Sequence, residues 1–321
     1  MNALKTKIRS LSDDAQQRLT VVLALIILCA VFAVGNQYFL TLDNILLTLY
    51  QSAVNGITAC GILFVIITQA VDLSLGSTIA VCGCICAALI ANGVPTVIAV
   101  IVALISGAII GVINGFCVAR MKLPPFVATL GMQMVLRGSV LVAADAKPIY
   151  LSQSNFKQFA QYKLFDIIQL PVLYLVLLCL VTWFILRKTV IGRHLFAVGS
   201  NEDAAKLSGI KTHRVRMFAY GYCGVMSAFA GCVLTARLSS GQPTVGVGYE
   251  ANAIAACVIG GASMSGGKGT VGGTILGAII MGVLLNGLNL LSISSNWQTI
   301  ATGLVVIGAV YLDRVRHLKE S

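Results

Sequence analysis

The chain has 321 residues, of which 58% are hydrophobic and 10% are charged. Soluble domains carry about 25% charged residues, so a soluble globular protein is excluded and lipid must surround most of this chain. The formal net charge is +11, but the basic residues cluster between apolar runs, which indicates membrane topology rather than nucleic-acid binding.

Ten apolar spans follow one another, and several approach the roughly 20 residues that a helix needs to cross the hydrocarbon core. They lie near 19–35, 45–69, 74–92, 95–119, 125–143, 171–186, 217–236, 250–263, 271–291 and 297–312. Barrel-type alternation of apolar and polar residues is absent, so helices are predicted. We expect an all-α polytopic membrane protein with about ten transmembrane helices, forming a single domain over residues 1–321. The first, sixth, eighth and tenth spans are short and are expected to be tilted, broken or extended.

Most Lys and Arg residues fall on one side of the membrane if the N-terminus is cytoplasmic. The basic groups on that side lie at 5–18, 120–122, 187–216, 268 and 314–319. An even number of spans then puts both termini in the cytoplasm. The first span lacks a clean A-x-A cleavage site, so we interpret it as a retained helix rather than a signal peptide.

Amide side chains within the spans are candidates for lining a polar pathway, because each is costly to hold in lipid. The candidates are Gln51, Asn55, Asn114, Gln133, Asn286 and Asn289. Gln51 and Asn55 share one helical face, as do Asn286 and Asn289. Amides both donate and accept hydrogen bonds, which suits a solute rich in hydroxyls. The alternative is interhelical hydrogen bonding, worth about 0.6 kcal/mol per pair, and for any single amide we favour it.

Three charged residues near or within the spans need separate explanations. Asp72 precedes Ser74 by two residues, so it is expected to cap the next helix near the inner face. Arg137 and Glu250 are expected in the outer half, where they pair with each other or meet a docked protein at the mouth.

The ten cysteines do not indicate a disulfide framework or a metal site. Cys82 and Cys86 share a helical face, but Cys84 points away from it. Structural zinc needs four convergent ligands, so the cysteines are predicted to pack as small apolar side chains. We expect neither a metal nor a cofactor.

The segment 187–216 is the longest predicted cytoplasmic loop, and it contains signals for a short helix. Ser200 and Asp203 resemble a capping box, and Glu202 and Asp203 favour a helix N-terminus. Gly209 is suited to the C-terminal stop. The segment is therefore predicted to display a short helix on the inner face, with a plain linker as the alternative.

The stretch "GASMSGGKGT" at 261–270 is close to a phosphate-binding loop but does not match one. That motif requires G-x-x-x-x-G-K-[ST], whereas Ala262 replaces its first glycine and Gly269 displaces the hydroxyl residue to Thr270. We interpret the stretch as a tight turn between spans. The chain is therefore not expected to hydrolyse nucleotide or to be an enzyme.

Five ordered stretches resemble the ribose-type group of bacterial ABC-importer permeases for monosaccharides, with allose- and xylose-type permeases as close alternatives. They are "AVDLSLGS" (70–77), "PPFVATLGMQMVLRG" (124–138), "GRHLFAVGSNEDAAKLSGI" (192–210), "ARLSSGQPTVGVGYEANAIAACVIGGASMSGGKGT" (236–270) and "NGLNLL" (286–291). The resemblance covers essentially the whole chain.

The resemblance implies a multi-pass permease subunit of the bacterial inner membrane, which passes a monosaccharide across it. Its implied partners are a cytoplasmic ABC ATPase, a periplasmic sugar-binding protein and a second permease subunit, with a homodimer expected. An ATPase-coupling segment is also implied, consisting of Gly199, Ser200, Asn201, Glu202, Ala204, Ala205, Leu207, Ser208 and Gly209. The candidate pathway amides would then contact the sugar.

Two other classes of protein were weighed against this interpretation. An ion-coupled secondary transporter of a small polar solute would usually show an internal repeat and paired acids in its spans. A membrane-embedded enzyme would show clustered His, Cys or carboxylates. Neither pattern is present in the sequence. The sequence leaves open the identity of the sugar, and also whether the permease pairs with itself or with a paralogue.

Overall fold

The computed structural model of the chain describes residues 13–151 and 155–320. The basic residues at 5–9 and the last residue of the predicted domain lie outside this part. The helices are α1 (Asp13–Gly35), α2 (Leu42–Ile67), α3 (Leu75–Ala91), α4 (Thr96–Ala119), α5 (Pro125–Ala143), α6 (Gln158–Gln161), α7 (Leu170–Lys188), α8 (Val190–Ser200), α9 (Glu202–Leu207), α10 (Thr212–Leu238), α11 (Tyr249–Ile259), α12 (Val271–Leu290) and α13 (Ser295–Glu320). Four two-residue strands, β1 (Ile149–Tyr150), β2 (Lys163–Leu164), β3 (Ile168–Gln169) and β4 (Ser240–Gly241), complete it with a 3₁₀ turn at Asn155–Lys157.

Within the described residues, seven helices are long and apolar enough to cross a membrane: α2, α4, α5, α7, α10, α12 and the Ser295–Val315 part of α13. Three shorter apolar helical stretches accompany them, at Leu19–Gly35, Leu75–Ala91 and Tyr249–Ile259. Each of the ten predicted spans therefore contains a helix. The described chain is mostly helical, as predicted, with seven rather than ten helices that satisfy the length and composition of a membrane span.

Helix α10 lies at the centre of the bundle, with α2, α3 and α4 packed around it. Tyr220 of α10 is completely buried, and its hydroxyl donates to the Val71 carbonyl oxygen at 2.9 Å. The α4 face that meets α10 carries a G-x-x-x-G pair, Gly107 and Gly111. A Cβ atom on Gly107 would collide with the Gly224 carbonyl oxygen, and one on Gly111 would collide with that of Tyr220. Here the small residues allow two backbones to touch.

The chain between α10 and α11 is not helical, yet it runs alongside α3. Gly241 packs against Cys84 on α3, whereas Gly246 packs against Gly76 in the first turn of the same helix. Residues 239–248 therefore follow α3 back toward its N-terminus, with Gly241, Pro243 and Gly246 buried and Thr244 and Val247 exposed. Both α3 and α11 begin at this place, which explains why each is shorter than a membrane-spanning helix.

The two ends of the bundle differ in structure. At one end, β1 pairs antiparallel with β4 and β2 pairs antiparallel with β3. At the other end lie α8, α9 and the glycine-rich turn 261–270. We call this second end the basic end, because Arg120, Lys122 and Arg216 also lie there.

The segment 187–216 contains a short helix as predicted, α9 (Glu202–Leu207), together with a second helix that the sequence analysis did not predict. Residues Val190–Ser200 form an additional helix, α8, before α9 begins at Glu202. The Thr189 hydroxyl caps α8 by accepting a hydrogen bond from the Gly192 amide at 3.2 Å. Buried Leu195 and Val198 lie on one face of α8 and anchor it to the main core.

Replacing Gly107 by Ala is predicted to lower the thermal stability of the protein in detergent. The new methyl group would press on the Gly224 carbonyl, and overpacking of this kind costs about 1–3 kcal/mol. Gly138→Ala is the matched control, because nothing lies within 4 Å of a Cβ atom built on Gly138. Equal melting temperatures for the two variants would contradict the close α4–α10 contact.

Candidate functional site

Helix α9 is capped by Asn201 rather than by Ser200. The Asn201 side-chain oxygen accepts a hydrogen bond from the Ala204 amide at 2.9 Å, while Ser200 is the last residue of α8. The predicted Ser200–Asp203 capping box is therefore wrong. The predicted stop is confirmed, since Gly209 has φ +82° directly after the helix, a conformation that glycine adopts without steric cost.

The surface of α9 has an exposed side and a buried side. Leu207 is 90% exposed, and Ala204 and Ser208 are also exposed. By contrast, Ala205 and Gly199 are buried, so these two candidate residues face the rest of the protein. A large apolar side chain on so short a helix is a surface that another protein can cover.

Glu202 joins α9 to the start of α10. Its carboxylate lies 2.7 Å from Arg216 Nη2 and 3.0 Å from Lys206 Nζ, and it accepts a hydrogen bond from the Thr212 hydroxyl at 3.2 Å. Partial burial alone would raise the pKa of Glu202, but the Lys206 hydrogen bond and the charges of Arg216 and Lys206 outweigh burial and lower this pKa. The contact is therefore fully formed at neutral pH and is lost as the pH falls through the lowered value.

Gly199 brings the end of α8 against the end of α2. No space remains for a side chain, because a Cβ atom on Gly199 would collide with the Ile67 carbonyl oxygen. The same carbonyl accepts a hydrogen bond from the Gly267 amide at 2.9 Å. The Gln69 side chain donates to the Ser265 carbonyl. Helices α2 and α8 and the turn 261–270 therefore meet at one point.

The turn 261–270 is also attached to the last helix. The Asp313 carboxylate of α13 accepts hydrogen bonds from the Met264 amide at 3.1 Å and the Ser263 hydroxyl at 3.3 Å. Gly266 and Gly267, with φ +80° and +70°, allow the chain to fold this tightly. Sequence reasoning did not identify Asp313, whose partners are about 50 residues away along the chain.

Asn286 and Asn289, two of the candidate pathway amides, hold helices together instead. Asn286 exchanges two hydrogen bonds with Asn44 of α2, at 3.0 and 3.1 Å. Asn289 accepts one from Gln298 of α13 at 2.7 Å. Their side chains are thus used in interhelical contacts, the alternative weighed for single amides.

Asp72 organises a buried polar cluster before α3. Its Oδ1 atom accepts from the Ser74 amide at 2.9 Å and from the Ser74 hydroxyl at 2.7 Å. Asn114 of α4 donates to that hydroxyl at 2.7 Å. Asp72 holds the turn before α3 but does not cap the helix, because the N-cap residue is Ser74 and no side-chain cap hydrogen bond is formed there; the predicted cap was wrong. Asn114 belongs to the same cluster.

Arg137 and Glu250 form no ion pair within 4 Å in the described part of the chain. Arg137 instead donates to the carbonyl oxygens of Pro243 and Val245, at 2.5 and 2.8 Å. The expected direct pair is therefore absent between these two residues. Their location beside the non-helical segment 239–248 explains why, since its buried carbonyls need donors.

Asn55, Asn114 and Asn252 each have a buried Oδ1 atom without a hydrogen-bond partner. Of these three, Asn114 belongs to the Asp72 cluster through its amide nitrogen, whereas Asn55 and Asn252 lie outside it. Helices α2 and α11 run toward the same end, since both lead into the region of the turn 261–270. Cys257 of α11 donates to the Ala59 carbonyl of α2 at 3.3 Å. Asn55 lies about one helical turn before Ala59, and Asn252 lies about one turn before Cys257. The two asparagines therefore lie at a similar depth in the membrane. Gln51 and Gln133 are half-buried.

Comparison with known proteins decides the class. Residues 44–310 match the family model described as the permease component of the branched-chain amino acid transport system. The chain belongs to this permease family.

The permease is also similar to curated proteins over almost its whole length. It is 44% identical over 304 residues to the ribose import permease protein RbsC of Bacillus subtilis (strain 168), with 94% of each chain covered. It is 40% identical over 301 residues to RbsC of Escherichia coli (strain K12), covering 92% of the permease and 93% of that relative. The D-allose transport system permease protein AlsC of Escherichia coli (strain K12) is 36% identical over 293 residues, with 91% and 90% covered. No solved structure matches.

These matches confirm the predicted resemblance to ABC-importer permeases. The permease is a multi-pass protein of the bacterial inner membrane. Its glycine-rich turn 261–270 packs against α2, α8 and α13, which agrees with its interpretation as a tight turn. Among the described residues, no group of His, Cys, Asp or Glu side chains could hold a metal ion.

The Asn44–Asn286 pair predicts a non-additive effect on the stability of the permease. Asn286→Leu leaves the buried Asn44 amide without this partner, so we expect a loss of about 1–2 kcal/mol. The double variant Asn44→Leu/Asn286→Leu removes both polar groups and should recover most of that loss. A double-mutant cycle of thermal unfolding in detergent measures the coupling, and strictly additive losses would argue against the pair.

Proposed function

We propose that the chain is the membrane-spanning subunit of an ATP-driven importer for a ribose-like pentose. The observation that carries the proposal is helix α9, exposed at its apolar Leu207 and attached to the bundle through Glu202 and Gly199. Identity to two ribose import permeases supports the choice of sugar, and an allose- or arabinose-like sugar is the nearest alternative.

Orientation follows from the distribution of charge. The basic end of the bundle faces the cytoplasm under the positive-inside rule, so both termini lie there if all ten predicted spans cross the membrane. A cytoplasmic ABC ATPase then docks on α9, and a periplasmic sugar-binding protein delivers the solute at the β-strand end. A second copy of the permease completes the membrane unit.

In this mechanism, ATP is hydrolysed by the separate ATPase subunit. A groove on that subunit holds Leu207, and its movement displaces α9. The Glu202–Arg216 contact passes the displacement to α10, and the close packing of Gly199 on Ile67 passes it to α2. Both receiving helices belong to the central bundle, so the bundle is rearranged around the sugar pathway.

The sugar pathway is assigned to the face of α2 that carries Gln51 and Asn55, with Asn252 of α11 beside it. A sugar hydroxyl would donate to the unpartnered oxygen of either asparagine. Gln133 remains a candidate for the same lining. Asn286 and Asn289 are not assigned to the pathway because their side chains are engaged in interhelical hydrogen bonds. Asn114 stays a candidate through its unpartnered Oδ1 atom, although its amide nitrogen donates to Ser74.

Replacing Leu207 by Ser tests the coupling role. Because Leu207 is exposed in the isolated chain, the variant should insert and melt like the unmodified protein. We expect sugar uptake by the reconstituted complex to fall at least about tenfold, since an anchor at the centre of an interface contributes about 2 kcal/mol or more. Val190→Ser, at an exposed residue of α8, is the control. Unchanged uptake in Leu207→Ser would remove α9 as the coupling element.

Asn55→Leu tests the pathway assignment. The substitution removes a buried oxygen that has no partner, so stability should be retained while the KM for ribose uptake rises about tenfold or more. Asn286→Leu provides the contrast, with lower stability and a near-normal KM in the surviving fraction. A normal KM in Asn55→Leu would contradict the assignment.

The class of transporter is tested with the complete complex in proteoliposomes. Uptake of labelled ribose should need internal ATP and the binding protein, and it should survive a protonophore. Uptake that collapses with the protonophore and persists without ATP would favour an ion-coupled secondary transporter instead.

A further inference from the structure

A cavity of about 670 Å³ opens at the basic end, between the α4–α5 turn and the first turn of α10. Its lining is strongly cationic, with the side chains of Arg120, Lys122, Lys206 and Arg216, and His213 lines it as well. Glu202 is the single carboxylate among the described residues that line it. The cavity therefore differs from the cluster around Asp72, whose polar side chains are hydrogen-bonded to one another.

The positive charge of the cavity is only partly balanced. Glu202 is already engaged by Arg216 and Lys206, whereas neither Arg120 nor Lys122 has a carboxylate within 4 Å among the described residues. The Nε atom of Arg216 is buried without a hydrogen-bond partner. A buried donor without an acceptor is costly, and Arg120 and Lys122 have no carboxylate partner in the described chain, so the cavity carries uncompensated positive charge that an anion would balance.

Two long helices also begin at this cavity. Pro125 starts α5 and Thr212 starts α10, and both residues line the wall. Helix N-termini favour anions, yet the first turn of α10 contains no acidic side chain. The helix N-termini and the cationic side chains therefore both favour a negatively charged ligand.

The surroundings of the cavity favour a lipid over a soluble anion. Met121, Phe126 and Val127, at the ends of α4 and α5, are 56%, 57% and 59% exposed. These apolar side chains continue directly from the cationic wall, at the end of two helices that cross the membrane. An acyl chain can cover them, whereas a free phosphate ion cannot.

We propose that this cavity binds the phosphate headgroup of an anionic phospholipid from the cytoplasmic leaflet. The leaflet assignment rests on the orientation given under the proposed function. Arg120 and Lys122 hold the phosphate at the α4–α5 turn, and Arg216 approaches it from α10. Because Glu202 shares Arg216 and Lys206 with this site, the bound headgroup sits beside the contact that attaches α9.

The test compares retention of phosphatidylglycerol and phosphatidylcholine by the purified full-length permease, using native mass spectrometry. Arg120→Gln/Lys122→Gln removes two charges from the cavity. The matched control, Lys188→Gln/Arg193→Gln, removes the same two charge types from exposed positions near the same end. We expect the unmodified protein and the control to retain phosphatidylglycerol preferentially. In the cavity variant this preference should fall about thirtyfold, since two basic residues near an anionic surface contribute about 1 kcal/mol each.

Three results would overturn the proposal. One is equal loss of phosphatidylglycerol from the cavity and control variants, which means general surface attraction. Another is displacement of the lipid by millimolar inorganic phosphate, which means a site for free phosphate. The third is weaker ATPase binding with unchanged lipid retention, which means a protein-docking surface. If the double variant does not remain monodisperse, Lys122→Gln alone, on the exposed turn, replaces it.

The lipid measurement needs neither ATP nor sugar. Failure of ribose uptake by the unmodified complex would therefore count against the proposed function while leaving the lipid result interpretable. Conversely, normal uptake with no lipid preference would reject only the cavity proposal.

Discussion

Buried backbone without helical hydrogen bonds is the constraint on which the interior of this protein depends. Peptide groups in a hydrocarbon environment need partners within the protein, and residues 239–248 pass along α3 in a non-helical conformation. Arg137 supplies donors to two of their carbonyls. Gly76 allows such close approach that a Cβ atom there would collide with the Gly246 carbonyl oxygen. The hydrogen bonds from Arg137 and the close approach that glycine allows at position 76 together stabilise the segment against α3.

The same non-helical segment explains how the protein holds a carboxylate in its interior. Glu250 lies in the first turn of α11, and its Oε2 atom lies beside Gly76 in the first turn of α3. The positive ends of two helices therefore converge on one acid. Helix N-termini that meet inside a bundle are a recurring way to hold charge in membrane transporters, and here the starts of α3 and α11 create that arrangement.

Sequence patterns predicted those features of the fold that depend on residues close together in the chain. The hydrophobic spans, the stop at Gly209 and the G-x-x-x-G contact at Gly107 could all be derived from sequence, because each depends on neighbouring residues or a helical period. Ser200 and Asn201 are both good caps, and the choice between them depends on α8 extending to Ser200, where Gly199 is packed on Ile67. The partners of Arg137 likewise depend on a chain crossing about 106 residues away, which no short pattern encodes.

The two attachments of α9 differ in how they respond to force. The contact of Gly199 with Ile67 is backbone on backbone, so it has no side chain that can rotate to relieve a displacement. The contact of Glu202 with Arg216 is ionic and partly exposed, so its geometry can change while the charges remain near each other. In the proposed mechanism, α2 therefore follows α9 closely, whereas α10 can lag behind it. A difference in movement between α2 and α10 would change the packing between them, and with it the position of the α2 face that carries Asn55.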